Sequence, residues 1–441
     1  MAVTQAPLAG DTASHRVRNF ALLFASGSIS IVGMSLVSSV TIMPLFMSHL
    51  TDSLILVGAV PAVWGLSFTL PQALGPGIYE GKPVKKSHIA RHLFFGSAVF
   101  MAFGGVVVAA AEDHRLIVLL LFFPAVLAFM GSIGLAHTAW IDVIGKVIDP
   151  RVQSRFLGSS HAAGGLLGAA AITLASRLMG DNAFPNGFGF SMVVAGGLFA
   201  AGASLFFLLV EQPTTPRKRS GLGFVETIKG IPALYRADRV FLRYGASRVV
   251  VMWGMSAFAF FTVFAVRDLG ASDADAVRLA AVLVASQLIG SLGFGALGDR
   301  VSARWMPLYG SIIAVTGLLV AFLTGSIAGI YIAICAAGLT MSTFMISEVS
   351  VILHLSPSAR RPTYYATHSL TSGLFIVAAP IAAGALVSAV GFTAMFGVAA
   401  VVSLVGVLLT AEFARAAARR NPPSATIVGG GQGVSIDSRY P

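Results

Sequence analysis

The chain reads as an all-α integral membrane protein with twelve transmembrane helices in two pseudo-symmetric six-helix halves. Three observations predict this. Of 441 residues, 56% are hydrophobic and 11% charged, with a mean hydropathy of +0.85, whereas soluble chains carry about a quarter charged residues. Apolar stretches of about 20 residues, the length a helix needs to cross a core of roughly 30 Å, recur along the whole chain. Lysine and arginine are concentrated in alternate loops.

Residues 1–19 form a polar tail, expected to be cytoplasmic. The first span, 20–47, is too long for a signal-peptide core and shows no evident cleavage site. The second, 55–79, carries Pro61 and Pro71 and runs into a basic stretch, Lys82 to Arg91. The third (92–111) and fourth (116–143) follow, the latter with Pro124 inside and Lys146 beyond its end. The fifth (155–179) starts after Pro150 and Arg151, and the sixth (188–210) ends at Glu211. Residues 211–239, opening with EQPTTPRKRSG, are the longest break and read as a cytoplasmic linker between the halves, 20–210 and 240–414. In the second half the seventh span is 240–266 and the eighth 276–297. Only Gly325 and Ser326 separate the ninth (305–324) from the tenth (327–354). The eleventh, 363–389, contains Pro380, and the twelfth is 393–414. Proline is tolerated within such helices as a kink. The Pro-, Gly- and Ser-rich end, 415–441, reads as a disordered tail.

With residue 1 in the cytoplasm, inner segments hold 24 of the 29 Lys and Arg residues and outer segments four, Arg248 lying within a span. This asymmetry predicts a multi-pass protein of the inner (plasma) membrane with both termini cytoplasmic. It also explains the net charge of +11 as a topology signal and argues against nucleic-acid binding. The single cysteine, Cys335, excludes an internal disulfide. No phosphate-binding GxxxxGK[ST] loop, HExxH pair or GxSxG elbow occurs, so neither direct ATP use nor catalysis is indicated, and no cofactor or metal is expected.

A faint repeat relates the halves. PRVQSRFLGSSHAAGGL opens the fifth span and PSARRPTYYATHSLTSG the eleventh, each with a basic turn after proline and a histidine eleven positions on, His161 and His368. Duplicated halves are common in secondary transporters. Between the eighth and ninth spans stands GALGDRVSAR, in which Gly295, Asp299, Arg300 and Arg304 form a glycine, an acidic-basic pair and a further cation. With the twelve spans and two halves, this resembles the major facilitator superfamily from Phe20 to about Arg415. The corresponding GPGIYEGKPVKK after the second span is a degraded copy, with Glu80 for the acid, Gly81 for the arginine and Lys85 for the last cation. The resemblance implies that Asp299 lies against the start of the fifth span, at Gln153 to Phe156, when the inner side is shut. It also implies a cavity lined by the first, fourth, seventh and tenth spans.

Ionisable residues inside spans are functional candidates. At a rise of 1.5 Å per residue, Asp142, Arg248 and Glu348 fall in the cytoplasmic third. They read as an inner gate or coupling group in which Arg248 pairs with Glu348, Asp142 or both. His137 falls near mid-bilayer and either titrates with transport or serves as an interhelical donor. At the same level come Ser30, Met34, Met252, Trp253, Met255, Met341, Phe344 and Met345. His161 and His368 read either as helix-contact donors or as coupling groups. Such walls suit an amphiphilic or weakly charged organic solute better than a sugar or a di-anion.

The expectation is a secondary active transporter working by alternating access, proton-coupled and exporting. Proton-coupled uptake of a weak organic acid is the variant, and a non-transporting receptor or scaffold on the same fold, with the linker cations as docking site, is the other class. The expected partners are the solute, protons and the lipid bilayer, with the chain a monomer.

Overall fold

A computed structural model describes residues 13–39, 42–179, 184–213, 223–271 and 273–420. Outside them lie the tail up to residue 12, the linker cluster Arg217-Lys218-Arg219 and the tail from residue 421. The long elements among the described residues are all helices. In the first half these are α1 (Ala13–Leu36), α2 (Ile42–Leu50), α3 (Leu54–Thr69), α4 (Gly75–Tyr79), α5 (Lys86–Ala110), α6 (Arg115–Val147), α7 (Gln153–Met179) and α8 (Asn186–Leu208). Then come α9 (Phe224–Ala237), α10 (Arg239–Met255), α11 (Phe261–Arg267), α12 (Asp273–Arg300), α13 (Met306–Thr324), α14 (Ile327–Leu355) and α15 (Arg361–Arg420).

Ten helical stretches among the described residues are long and apolar enough to cross a membrane. One of them, α15, holds Gly391 at φ 82° and ψ 170°, a conformation essentially restricted to glycine. A straight helix of 60 residues would run about 90 Å, three bilayer cores, so α15 is two crossings that meet at Gly391. A further apolar helical path runs from α3 through the 3-10 turn Leu70–Leu74 into α4. Pro71 and Pro76 stand at the starts of these pieces, where a missing N–H costs nothing.

Three boundaries depart from expectation. The first span is not one helix over 20–47: α1 starts at Ala13 and ends at Leu36, and α2 begins at Ile42. Pro44 sits in the first turn of α2, whereas inside a continuous helix it would cost the preceding turn a hydrogen bond. The stretch expected as a plain linker contains α9, which packs on the Leu70–Leu74 turn and on α10 and α15. Finally, α15 continues to Arg420, so the residues just after Arg415 are helical rather than a disordered tail.

Two seams join the helices before α9 to those after it: α7 against α12, and α3, α4 and α6 against α15. Glycine makes the first seam possible. A Cβ on Gly158 would overlap the Ser291 carbonyl and stand 2.9 Å from the Gly295 Cα; one on Gly295 would stand 3.0 Å from the Ser154 carbonyl. The end of the bundle that carries α9, Lys85, Arg151 and Arg304 is here the linker end. At that end both halves share one apolar core, with Leu23, Phe156 and Phe206 beside Ile346, Tyr365 and Phe413. Toward the opposite end the cores are separate, one around Phe46, Phe122 and Phe199 and the other around Phe261, Ile330 and Phe396. The halves are thus closed on each other at the linker end.

Candidate functional site

Two acids hold the seams at the linker end. Asp299, one residue before the end of α12, accepts hydrogen bonds from the backbone N–H groups of Ser154 (2.9 Å) and Arg155 (3.1 Å) through Oδ1. Those are first-turn donors of α7 with no intrahelical acceptor, and the positive end of the helix dipole favours a carboxylate there. Arg155 Nε lies 3.3 Å from the other oxygen. Glu80, just past α4, does the same across the second seam: its Oε1 accepts from Thr363 N at 3.1 Å and from the Thr363 hydroxyl. The degraded copy of the motif therefore keeps its acid in the equivalent contact. Burial lifts the Glu80 carboxyl above the usual carboxylate range, against the lowering pull of the Thr363 bonds. Arg300 is exposed, and Arg304 lies in the 3-10 turn Ala303–Trp305.

Beneath the second seam lies a buried ion network. Asp142 Oδ2 is 2.6 Å from Lys85 Nζ and 2.9 Å from Lys146 Nζ, and its Oδ1 is 3.6 Å from Arg361 Nη1. Lys146 Nζ also donates to Glu211 Oε1 at 2.8 Å, while Glu211 Oε2 accepts from the N–H groups of Lys85 and Lys86. Burial pulls the Lys85 amine below its ordinary value even with Asp142 beside it. Arg361 packs over Gly145, which has no side chain to block it. Of the two acids expected to face Arg248, Glu348 does so and Asp142 does not. Position along a helix fixes depth, but rotation about the axis decides the partner, and Asp142 turns toward α5 and α15. Lys146, Arg361 and Glu211 entered the sequence reading only as loop charges or boundaries. Their one signal is that each stands at the end of a span within reach of an intramembrane acid.

A second cluster forms around Glu348. Its Oε2 lies 3.7 Å from Arg248 Nη2 and its Oε1 3.6 Å from His368 Nε2, both longer than a hydrogen bond. The Arg248 guanidinium sits 4.0 Å above the Phe344 ring, and the buried His368 ring stacks on Tyr244 at 5.0 Å. The Glu348 side chain is 27% exposed. Met341 and Met345, at 39% and 52%, share that face of α14, and Gln287 donates to the Met341 sulfur at 3.1 Å.

The other expected cavity residues divide. Met252 and Met255 are half-buried on α10, and Trp253 is exposed with its ring 6.3 Å from Phe375. Ser30 donates to the Ser26 carbonyl at 2.8 Å and packs by Gly202 of α8, so it faces the interior of the first half. Met34 packs on the apolar core of that half. His137 lies in an aromatic box at the second seam, stacked on Trp140 at 4.8 Å, with Tyr365 at 5.0 Å and Phe68 at 5.6 Å. His161 Nδ1 donates to the Leu157 carbonyl at 2.7 Å, which leaves Nε2 as the acceptor.

Two helical halves are thus closed on each other at one end by matched acid caps and hold ionisable groups between them. Part of the sequence is similar to the major facilitator superfamily. The sequence model of that family matches residues 245–434. Solved structures agree over nearly the whole chain. A bacterial homologue of the iron transporter ferroportin, in an outward-facing state, superposes with a TM-score of 0.70 at 15% identity, covering 90% of this chain and 99% of that one. The human organic anion transporter MFSD10 gives 0.69 at 13% identity with the same coverage. The E. coli fucose:proton symporter gives 0.68 at 13%, covering 91% and 99%. No curated relative matches.

Proposed function

We propose that this protein is a transporter that moves a small amphiphilic or weakly charged organic solute by alternating access, coupled to protons through Glu348, in the direction of export. The observation that carries the reading is the position of Glu348: part open beside Met341 and Met345, and part faced by Arg248 and His368 above the closed linker end. An ionised Glu348 offsets the buried Arg248 charge, and a lone buried charge costs several kcal/mol. A proton on Glu348 loosens that pair and frees the carboxyl to face the other half. With the basic linker end in the cytoplasm, the solute leaves from the outside-open state as the proton binds. The apolar walls supply the solute's contacts and the polar floor its orientation.

A second reading, proton-coupled uptake of a weak organic acid, draws on Arg248. Its Nε and Nη1 are buried without a hydrogen-bond partner among the described residues, so the guanidinium keeps unused donors for an anionic group. Inside-out vesicles with a trapped pH dye separate the two. Lipophilic cations, neutral amphiphiles and weak acids are added in turn, beside Glu348→Gln and His137→Ala. Luminal proton loss on adding a cation or neutral amphiphile, absent in Glu348→Gln, supports antiport. Proton movement together with a weak acid supports the second reading. Silence across the panel with intact protein counts against both, and leaves the scaffold class, for which charge reversal at Arg217-Lys218-Arg219 is the decisive variant.

A further inference from the structure

We infer that the linker end of α1, α5 and α8 holds a binding site for an anionic phospholipid. A cavity of about 560 Å³ opens there, lined by Arg18, Leu22, Lys86, Phe207, Leu208 and Glu211. Arg18 Nη2 donates to the Leu208 carbonyl at 2.8 Å, and Lys86 Nζ donates to the carbonyls of Phe207 (3.2 Å) and Leu209 (2.5 Å). These bonds fix both heads in the mouth of the cavity and leave each with spare N–H donors, since an ammonium has three and a guanidinium five.

Carbonyls do not neutralise a cation. Among the described residues neither Arg18 nor Lys86 is paired with a carboxylate. The nearby Glu211 is spent on Lys146 Nζ and on the N–H groups of Lys85 and Lys86. Two cations with no carboxylate ion pair among the described residues therefore line the mouth of one cavity at the linker end. Below them the wall turns apolar: Phe207 and Leu208 are exposed, and the exposed Phe94 stacks on Phe207 at 6.1 Å. Cations at the membrane edge above an open apolar groove fit a phosphate head with acyl chains, and basic pockets between spans take such heads. A soluble phosphate would use the cations and leave the groove empty.

The test is native mass spectrometry of the full chain released from detergent. Phosphatidylglycerol and phosphatidylcholine of matched chains are titrated in competition, with glycerol phosphate as a soluble competitor. Each cation near the surface is worth about a fivefold factor in binding. The wild type is expected to retain phosphatidylglycerol in clear excess over phosphatidylcholine. Arg18→Gln with Lys86→Gln should lower that retention by at least about fivefold, Lys86→Arg should keep it, and Arg278→Gln, an exposed arginine on another helix, should leave it unchanged. Equal retention of both lipids by the wild type overturns the site whatever the variants do. So does displacement by glycerol phosphate, or a double variant that binds as the wild type does.

Discussion

Replacing Asp299 by alanine removes the acceptor of two α7 first-turn N–H groups, Ser154 at 2.9 Å and Arg155 at 3.1 Å. A hydrogen bond to a charged group is worth about 1.5–3 kcal/mol. The low end of that range for the two bonds sums to about 3 kcal/mol. That is roughly a hundredfold in the opening equilibrium. The ion pair with Arg155 adds little, because that side chain is 59% exposed and such pairs contribute about 0–1 kcal/mol. Hydrogen–deuterium exchange of the α7 amino-terminal peptide reads this directly. Asp299→Ala should speed exchange at Ser154 and Arg155 by roughly a hundredfold, and Arg155→Ala by less than about fivefold. If Arg155→Ala does as much as Asp299→Ala, or Asp299→Ala stays within about threefold of the wild type, the cap is not what holds the seam.

Three further outcomes follow from the same contacts. Asp142→Asn leaves Lys85, Lys146 and Arg361 facing one another without their shared acid, and should cost about 3–5 kcal/mol, read as lost thermal stability in detergent. Gly158→Ala drives a methyl into the Ser291 carbonyl; overpacking of about 1–3 kcal/mol should weaken linker-end closure, seen as faster exchange in α12. Asp238, outside the spans, is raised by burial but pulled further down by hydrogen bonds from Phe241 N–H, Arg420 and Tyr364, so its carboxyl ends below its ordinary 3.8. A depressed acid gives stability that is present above the ordinary value and lost as pH falls through the folded one. Thermal stability should therefore drop below pH 3.8, and Asp238→Asn should flatten that acid limb.

The fold was legible because it rests on length and hydropathy, which a sequence carries explicitly, and the acid-to-α7 contact because a motif marks it. Rotation about helix axes was not. Hydropathy and spacing put Asp142, Arg248 and Glu348 at similar depth, yet Asp142 turns to Lys85 and Arg361 while Arg248 turns to Glu348. Ser30 shows the same limit, since its depth was read and its direction toward α8 was not. Glu80 gives the converse case: its motif has lost the arginine to Gly81, and geometry alone discloses the contact with Thr363. His368 stood out only by its repeat position, and its approach to Glu348 depends on how α14 and α15 pack.

In the proposed mechanism, protonation of Glu348 governs which end of the molecule is open. Spin labels at Arg151 and Ser358, exposed at the linker end on opposite halves, in a Cys335→Ser background, report that opening as a distance distribution. The distribution should shift with pH in the otherwise wild-type chain and be fixed in Glu348→Gln. A pH-dependent shift that survives Glu348→Gln would contradict it.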